Sequence, residues 1–189
     1  MFILAIDPGS EHSGVVLYDS DEHKILWSAD AKNEGLLENI REWRVWLGIV
    51  ENHVLAIEGL ENQGHFVGKS TFETAEWIGR FREAWENGTG QPSFRMSRRD
   101  VKICLCGGST YTDPDSGARR TVNDTVVSRA VRARFEGTGG GSRPEVGTRK
   151  NKGPLYGMKG GHQYSALAIA LTWVEMFGNK EKGNQNETE

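Results

Sequence analysis

Two short apolar segments of this chain each end in a carboxylate, and this pattern restricts the possible folds more than any other feature. Residues 2–7 read FILAID and residues 54–59 read VLAIEG, so Asp7 and Glu58 end runs that are typical of buried strands. If the two strands are neighbours in one sheet, the two acids lie at the same edge. We therefore expect Asp7 and Glu58 to converge, although either acid alone is also typical of a solvated strand end.

The order of the predicted elements defines the expected sheet. Strand patterns cover residues 3–7, 15–18, 25–27, 54–58 and 92–96, and helical patterns cover 36–50, 70–85, the segment after Ser97, 122–135 and 162–177. Ser70 and Glu73 resemble a capping box at the start of the second helix, in which Phe72 is expected to face inward. Ser97 is expected to cap the third helix, which is expected to end at Gly107. Three consecutive strands followed by alternating helices and strands indicate an α/β protein. The order is that of a ribonuclease H-like fold, with a mixed five-stranded sheet flanked by helices. The length of 189 residues suits one domain, which we place at residues 1–177.

The positive charge of the chain is concentrated in its loops. Residues 90–160 contain 14 Lys and Arg against 6 Asp and Glu, although the whole chain has a net charge of −3. Residues 107–120 and 137–160 are predicted to be flexible basic loops, and residues 178–189 a disordered polar tail. The basic excess favours a polyanionic partner, with pairing to acidic helices of the same chain as the alternative.

The paired acids predict a metal site. Two carboxylates in one half-buried place are costly unless a cation neutralises them, and oxygen ligands favour Mg²⁺ or Mn²⁺. His162 and Ser165 stand three residues apart at the start of the last helix, so their side chains share one face. We therefore expect His162 to be a functional residue of this site, with a surface or hydrogen-bonded histidine as the alternative.

Four motifs in order resemble the RuvC-type Holliday junction resolvases, and most closely the versions encoded by bacteriophages. They are Ile6-Asp7-Pro8-Gly9, Ile57-Glu58-Gly59, Val101-Lys102 with Leu105 and Gly107, and His162-x-x-Ser165 followed by residues 166–170, ALAIA. The resemblance runs over residues 1–177. It implies a homodimeric nuclease that nicks four-way DNA junctions on opposing strands with two divalent ions.

The resemblance also implies roles for individual residues. Asp7, Glu58 and His162 would be metal ligands, and Lys102 would stabilise charge on the phosphate, with an ordinary exposed lysine as the alternative. Ser165 stands where many members of the family carry a fourth acid, so the site lacks one negative charge. Asp124 is an acid that would compensate for the missing charge, but its position on a predicted helix argues against this role.

DNA is expected to be held through its phosphates by basic side chains. The residues assigned to this contact are Arg98, Arg99, Lys102, Arg119, Arg120, Arg149, Lys150, Lys152 and Lys159. Phe66 is predicted to insert into the junction as a wedge, or else to be a core residue under its loop.

Other classes of protein fit less well, and some remain open. Because Ser165 is neutral, a junction-binding protein without nuclease activity is one alternative; another ribonuclease H-like nuclease is a second. An actin-like kinase would need a longer chain. We predict no membrane span, nucleotide cofactor or signal peptide, and a cytoplasmic location, which is the cytoplasm of a bacterial host if a phage encodes the chain.

Overall fold

A five-stranded mixed sheet forms the centre of the molecule. A computed structural model describes residues 1–47, 52–61 and 68–178. The sheet strands are β1 (Phe2–Asp7), β2 (His12–Asp19), β3 (Lys24–Lys32), β4 (His53–Glu58) and β5 (Ser93–Met96). Their spatial order is β3-β2-β1-β4-β5, with β1, β2 and β3 antiparallel and with β1, β4 and β5 parallel. This is the predicted architecture.

Helices cover both faces of the sheet. They are α1 (Asn33–Leu47), α2 (Lys69–Thr89), α3 (Arg98–Cys106), α4 (Asp124–Arg132) and α5 (Gly161–Trp173), which continues as a π-helical turn over Val174–Gly178. Helices α1 and α2 pack on one face, whereas α3, α4 and α5 pack on the other. None of the described helices has both the length and the apolar character required to cross a bilayer.

The alternation of side chains along β1 determines which face carries the acids. Ile3 and Ala5 point towards the α3–α5 face, whereas Leu4 and Ile6 point towards α1 and α2. Because side chains alternate along a strand, Asp7 belongs to the face of Ile3 and Ala5. The same alternation in β4 places Glu58 on that face.

Helix α5 packs closely on the sheet at its N-terminal end. Its side chains Ala166, Ala168 and Ala170 are fully buried and small, so its backbone lies close to the strands. Gly14 on β2 permits the closest contact, because a Cβ atom at this position would lie 2.2 Å from the carbonyl oxygen of His162. This contact brings the first turn of α5 to the end of β1, where Asp7 pairs with Gly14.

Helix α2 differs from its predicted form. The segment from Ser70 to Glu73 resembles a capping motif in the sequence, but the helix begins at Lys69 and its cap residue, Gly68, provides no side-chain hydrogen bond. Phe72, expected to face inward, is 67% exposed. The buried face is instead formed by Thr74, Trp77, Ile78, Phe81 and Trp85.

Residues 107–120, expected to be a loop, contribute to a small hairpin. Strands β6 (Thr110–Thr112) and β7 (Arg119–Thr121) pair antiparallel. The turn is held by the Asp113 carboxylate, which accepts hydrogen bonds from the backbone N–H groups of Asp115 and Ser116. Each of the two strands has only three residues, and their sequences are too short and too polar to predict a strand.

The glycine-rich segment 137–160 has no helix or strand, but its backbone forms many internal hydrogen bonds. Gly147 and Lys152 form an isolated bridge, and Gly153 donates to the carbonyl oxygen of Val146. Cβ atoms at Gly147 and Gly153 would lie 2.3 Å from neighbouring backbone atoms, so these glycines allow the segment to fold tightly. Leu155 and Met158 anchor it in the core.

Candidate functional site

The carboxylates of Asp7 and Glu58 lie together at one end of the sheet. Strands β1 and β4 are parallel neighbours, and Ile6 pairs with Ile57, so the acid that follows each residue reaches the same place. The two carboxyl groups lie close enough for Asp7 to raise the pKa of Glu58. Both are largely buried, with 13% of the Asp7 side chain and 16% of the Glu58 side chain exposed.

This arrangement favours the protonated form of Glu58. Burial raises the pKa of Glu58 to about 7, the neighbouring Asp7 adds to the rise, and the guanidinium of Arg98 opposes it. Loss of solvation is the main physical cause of the raised pKa, and repulsion by the like charge of Asp7 adds to it. Protonation of Glu58 relieves this repulsion, and a bound divalent cation would also relieve it.

His162 and Ser165 reach the same place from the start of α5. The ring nitrogen Nδ1 of His162 lies 2.9 Å from Oδ2 of Asp7. When that nitrogen carries the proton, it donates to the carboxylate and leaves Nε2 as an acceptor. Ser165 lies one turn further along the helix and lines the same cavity.

Arg98 and Asp124 complete the site, although Arg98 was predicted only as a phosphate contact and the predicted helix of Asp124 argued against its presence there. Nη1 of Arg98 donates to the two carboxylate oxygens of Glu58 at 3.2 and 3.4 Å, and Nη2 donates to Oδ1 of Asp124. Arg98 is the first residue of α3, after the Ser97 cap, and Asp124 is the first residue of α4, after the Asn123 cap. These cap motifs are visible in the sequence and are the signal for placing both side chains at helix starts.

A cavity of about 430 Å³ joins these groups. Its lining includes Asp7, Glu58, Arg98, Asp124, His162 and Ser165. Lys102 is half-buried on α3, one turn beyond Arg98, and does not line this cavity. Arg98, rather than Lys102, is therefore the basic side chain that lines this cavity.

The donor set suits a hard divalent cation only in part. Asp7 and Glu58 present adjoining carboxylate oxygens, which are the ligands that Mg²⁺ and Mn²⁺ prefer. Within the described ranges, however, no three His, Cys, Asp or Glu side chains are arranged to hold a metal ion. The two acids fit such an ion, and a third ligand requires a side chain to move.

A second cavity, of about 450 Å³, adjoins the first and carries much of the basic character. The two cavities share Asp124 and Gly161, and the second is also lined by Arg132, Arg143 and Lys159. The guanidinium of Arg132 lies 5.8 Å from the ring centre of Tyr164, which also lines this cavity. Arg132 and Arg143 were not among the predicted DNA-binding residues.

The other predicted DNA-binding residues lie on three surfaces. Arg99 is exposed on α3, and Arg149, Lys150 and Lys152 are exposed on the glycine-rich segment. Arg119 and Arg120 lie on β7, where Arg119 donates to Thr110 and Arg120 pairs with Asp113 at 3.0 Å. Phe66, the predicted wedge, lies outside the described residues.

Comparison with known proteins defines the class of fold. The sheet order and the placement of α5 are those of the ribonuclease H-like class, which confirms the predicted fold class. The structure resembles RuvC of Thermus thermophilus in complex with a Holliday junction substrate, with a TM-score of 0.60 and 16% sequence identity over 94% of this chain and 96% of that chain. A second structure of Thermus thermophilus RuvC gives a TM-score of 0.57 and 19% identity over 93% of this chain and 96% of that chain.

The chain therefore has a RuvC-like fold over nearly its whole length. The sequence alone matches no protein-family model and no curated protein. The similarity thus lies in the arrangement of elements, and the chemistry of the site must be argued from its own residues.

Proposed function

We propose that this chain is a structure-selective endonuclease that cleaves branched DNA, four-way junctions in particular, with Mg²⁺ or Mn²⁺. The observation that carries the proposal is the convergence of Asp7 and Glu58 beside His162 in an open cavity of a RuvC-like fold. One of the similar structures is a RuvC bound to a Holliday junction substrate. A homodimer would match the two-fold symmetry of a junction, so paired nicks on opposing strands are expected.

The proposed metal ligands are Asp7, Glu58 and His162. When bound, a divalent ion supplies the positive charge and the lowered pKa of water that phosphodiester hydrolysis requires near neutral pH. Asp7 orients the ring of His162 through its contact with Nδ1, which leaves Nε2 able to accept a proton or bind the ion. Ser165 contributes a neutral hydroxyl group to this site. Lys102 lies one turn beyond Arg98, outside the cavity, and would help to stabilise charge on the phosphate.

The basic surfaces are proposed to hold the DNA arms through their phosphates. The residues proposed for this contact are all exposed: Arg99, Arg119, Arg120, Arg149, Lys150, Lys152 and Lys159. Such contacts position the duplex without reading its sequence. They therefore suit a partner that is recognised by shape.

The experiment compares four-way junction, fork and linear duplex, each end-labelled, with and without Mn²⁺. We expect nicks in the branched substrates only, and only with the metal. Asp7→Asn removes one carboxylate charge at nearly the same volume, so nicking should fall at least about 100-fold while junction binding persists. Nicking by Asp7→Asn at the parental rate would contradict the assignment.

A junction-binding protein without nuclease activity is the second candidate, and Ser165 is the observation that favours it. A hydroxyl group stands in the cavity where the resemblance implies an acid. Binding without nicks over a range of metal concentrations and pH would support this candidate. Ser165→Asp should then produce nicking if only that charge is missing.

A further inference from the structure

The cavity contains a fixed positive charge of its own. The guanidinium of Arg98 lies between Glu58 and Asp124 and donates to both carboxylates through different nitrogens. An arginine side chain keeps its charge at any pH that proteins experience. The cation is thus a permanent part of the cavity wall.

The fold holds Arg98 in this position. Its helix is capped by Ser97, which accepts a hydrogen bond from the backbone N–H of Asp100, and it is anchored in the core by Val101 and Leu105. Asp124 begins α4, a helix anchored in the same core through Val127 and Val131. The guanidinium therefore links two helix starts, with 22% of its side chain exposed.

The charges of the cavity favour a single divalent ion. Once Glu58 is ionised, Asp7, Glu58 and Asp124 bring three negative charges, Arg98 offsets one of them, and Ser165 adds none. Two divalent ions would leave a positive excess in a half-buried place, whereas one ion balances the remaining two charges. A second ion between Glu58 and Asp124 would also have to displace the guanidinium and then remain beside it.

We propose that Arg98 takes the place of a second metal ion, so that the site holds one divalent ion per chain, next to Asp7 and Glu58. This inference rests on the proposed function, because it names the two cations that would contact the scissile phosphate: the divalent ion and the guanidinium of Arg98. The planar fork of a guanidinium matches two phosphate oxygens. Arg98 is thereby placed to bind the phosphate on the side of Asp124.

The test counts ions directly. Mn²⁺ is titrated into the intact chain and the free ion is measured by electron paramagnetic resonance, which requires no turnover. We expect one Mn²⁺ per chain for the parent. Arg98→Gln removes the charge and frees Glu58 and Asp124, so it should bind a second Mn²⁺ while junction nicking falls about 100-fold.

Arg41→Gln is the control, because Arg41 is an exposed arginine on α1, on the other face of the sheet. It should bind one Mn²⁺ and nick at the parental rate. If Arg98→Gln does not fold, as judged by circular dichroism, Arg98→Lys keeps the charge and should bind one Mn²⁺.

Two results would overturn the inference: two ions of similar affinity in the parent, or an unchanged single ion in folded Arg98→Gln. A parent that binds one ion but nicks no branched DNA would contradict the proposed function and still support the role of Arg98 as a cation. A parent that nicks junctions and binds two ions would support the proposed function and contradict the role of Arg98 as the second cation.

Discussion

At the scale of single residues, Glu58 is where the energetic cost of the site is concentrated. Its carboxyl group is buried beside Asp7, because the two acids end neighbouring parallel strands. A carboxyl group buried in this way lowers the stability of the fold, and packing elsewhere in the core offsets that cost. The titration of Glu58 can therefore be used to probe the site in the absence of substrate.

We predict that the metal-free chain loses stability as the pH rises from about 4.5 to about 7. The pKa of Glu58 is raised from 4.5 to about 7 in the fold, so the folded chain holds a proton that the unfolded chain releases over this range. Glu58→Gln mimics the protonated form and should be more stable than the parent at pH 8 by on the order of 1–3 kcal/mol. Urea unfolding at several pH values measures the difference.

Glu76→Gln is the control for this comparison, since Glu76 is exposed on α2. It should follow the pH profile of the parent. A parent whose stability rises relative to Glu58→Gln between pH 4.5 and 7 would show that the Glu58 carboxylate is stabilised in the fold.

At the scale of elements, the contact between β2 and the start of α5 decides where His162 lies. Gly14 faces the backbone of His162, and no side chain fits between them. The sequence shows Gly14 only as a small residue before a strand pattern. Its importance comes from a helix that is nearly 150 residues away along the chain.

Gly14→Ala is predicted to displace the first turn of α5. Overpacking at a well-packed contact costs about 1–3 kcal/mol, so the melting temperature should fall, and nicking should fall further because His162 moves away from Asp7. Gly79→Ala is the control, because no atom lies within 4 Å of a Cβ at that exposed helical position. It should leave nicking unchanged and stabilise the chain by about 0.5–1 kcal/mol. Equal behaviour of the two variants would contradict the close contact at Gly14.

At the scale of the whole molecule, the acidic and basic surfaces are separated. The acids that would hold a metal lie inside one cavity, and exposed basic residues lie on the adjoining cavity and the glycine-rich segment. If the proposed function holds, this separation would let the surface attract DNA over a distance while the chemistry stays at one point. Binding and cleavage are therefore expected to be separable by mutation.

The triple variant Arg149→Ala, Lys150→Ala and Lys152→Ala is predicted to weaken junction binding with little change in stability, because all three side chains are exposed. If each contacts one phosphate, the slope of log affinity against log salt concentration should fall by about 2–3. Fluorescence anisotropy at several salt concentrations measures the slope. Lys24→Ala with Arg41→Ala, exposed residues on β3 and α1, is the control. An unchanged slope in the triple variant would exclude these residues from the DNA interface.

The sequence by itself determined the local features of the protein. The apolar runs ending in Asp7 and Glu58, the Ser97 cap and the Gly107 helix end were all predicted and are all present. These features depend on alternation, propensity and capping, which act between residues close together in the chain. The fold class followed from their order.

Only the tertiary structure decided how the site is composed. Glu58, Arg98 and Asp124 are separated by 40 and 26 residues, and they meet because α3 and α4 pack beside the strands that carry the acids. The same packing left Lys102 outside the cavity, and the packing of α2 on the other face of the sheet left Phe72 in solvent. The physical reason is that the angle at which a helix packs depends on side-chain shapes across the whole core, and no local pattern in the chain records it.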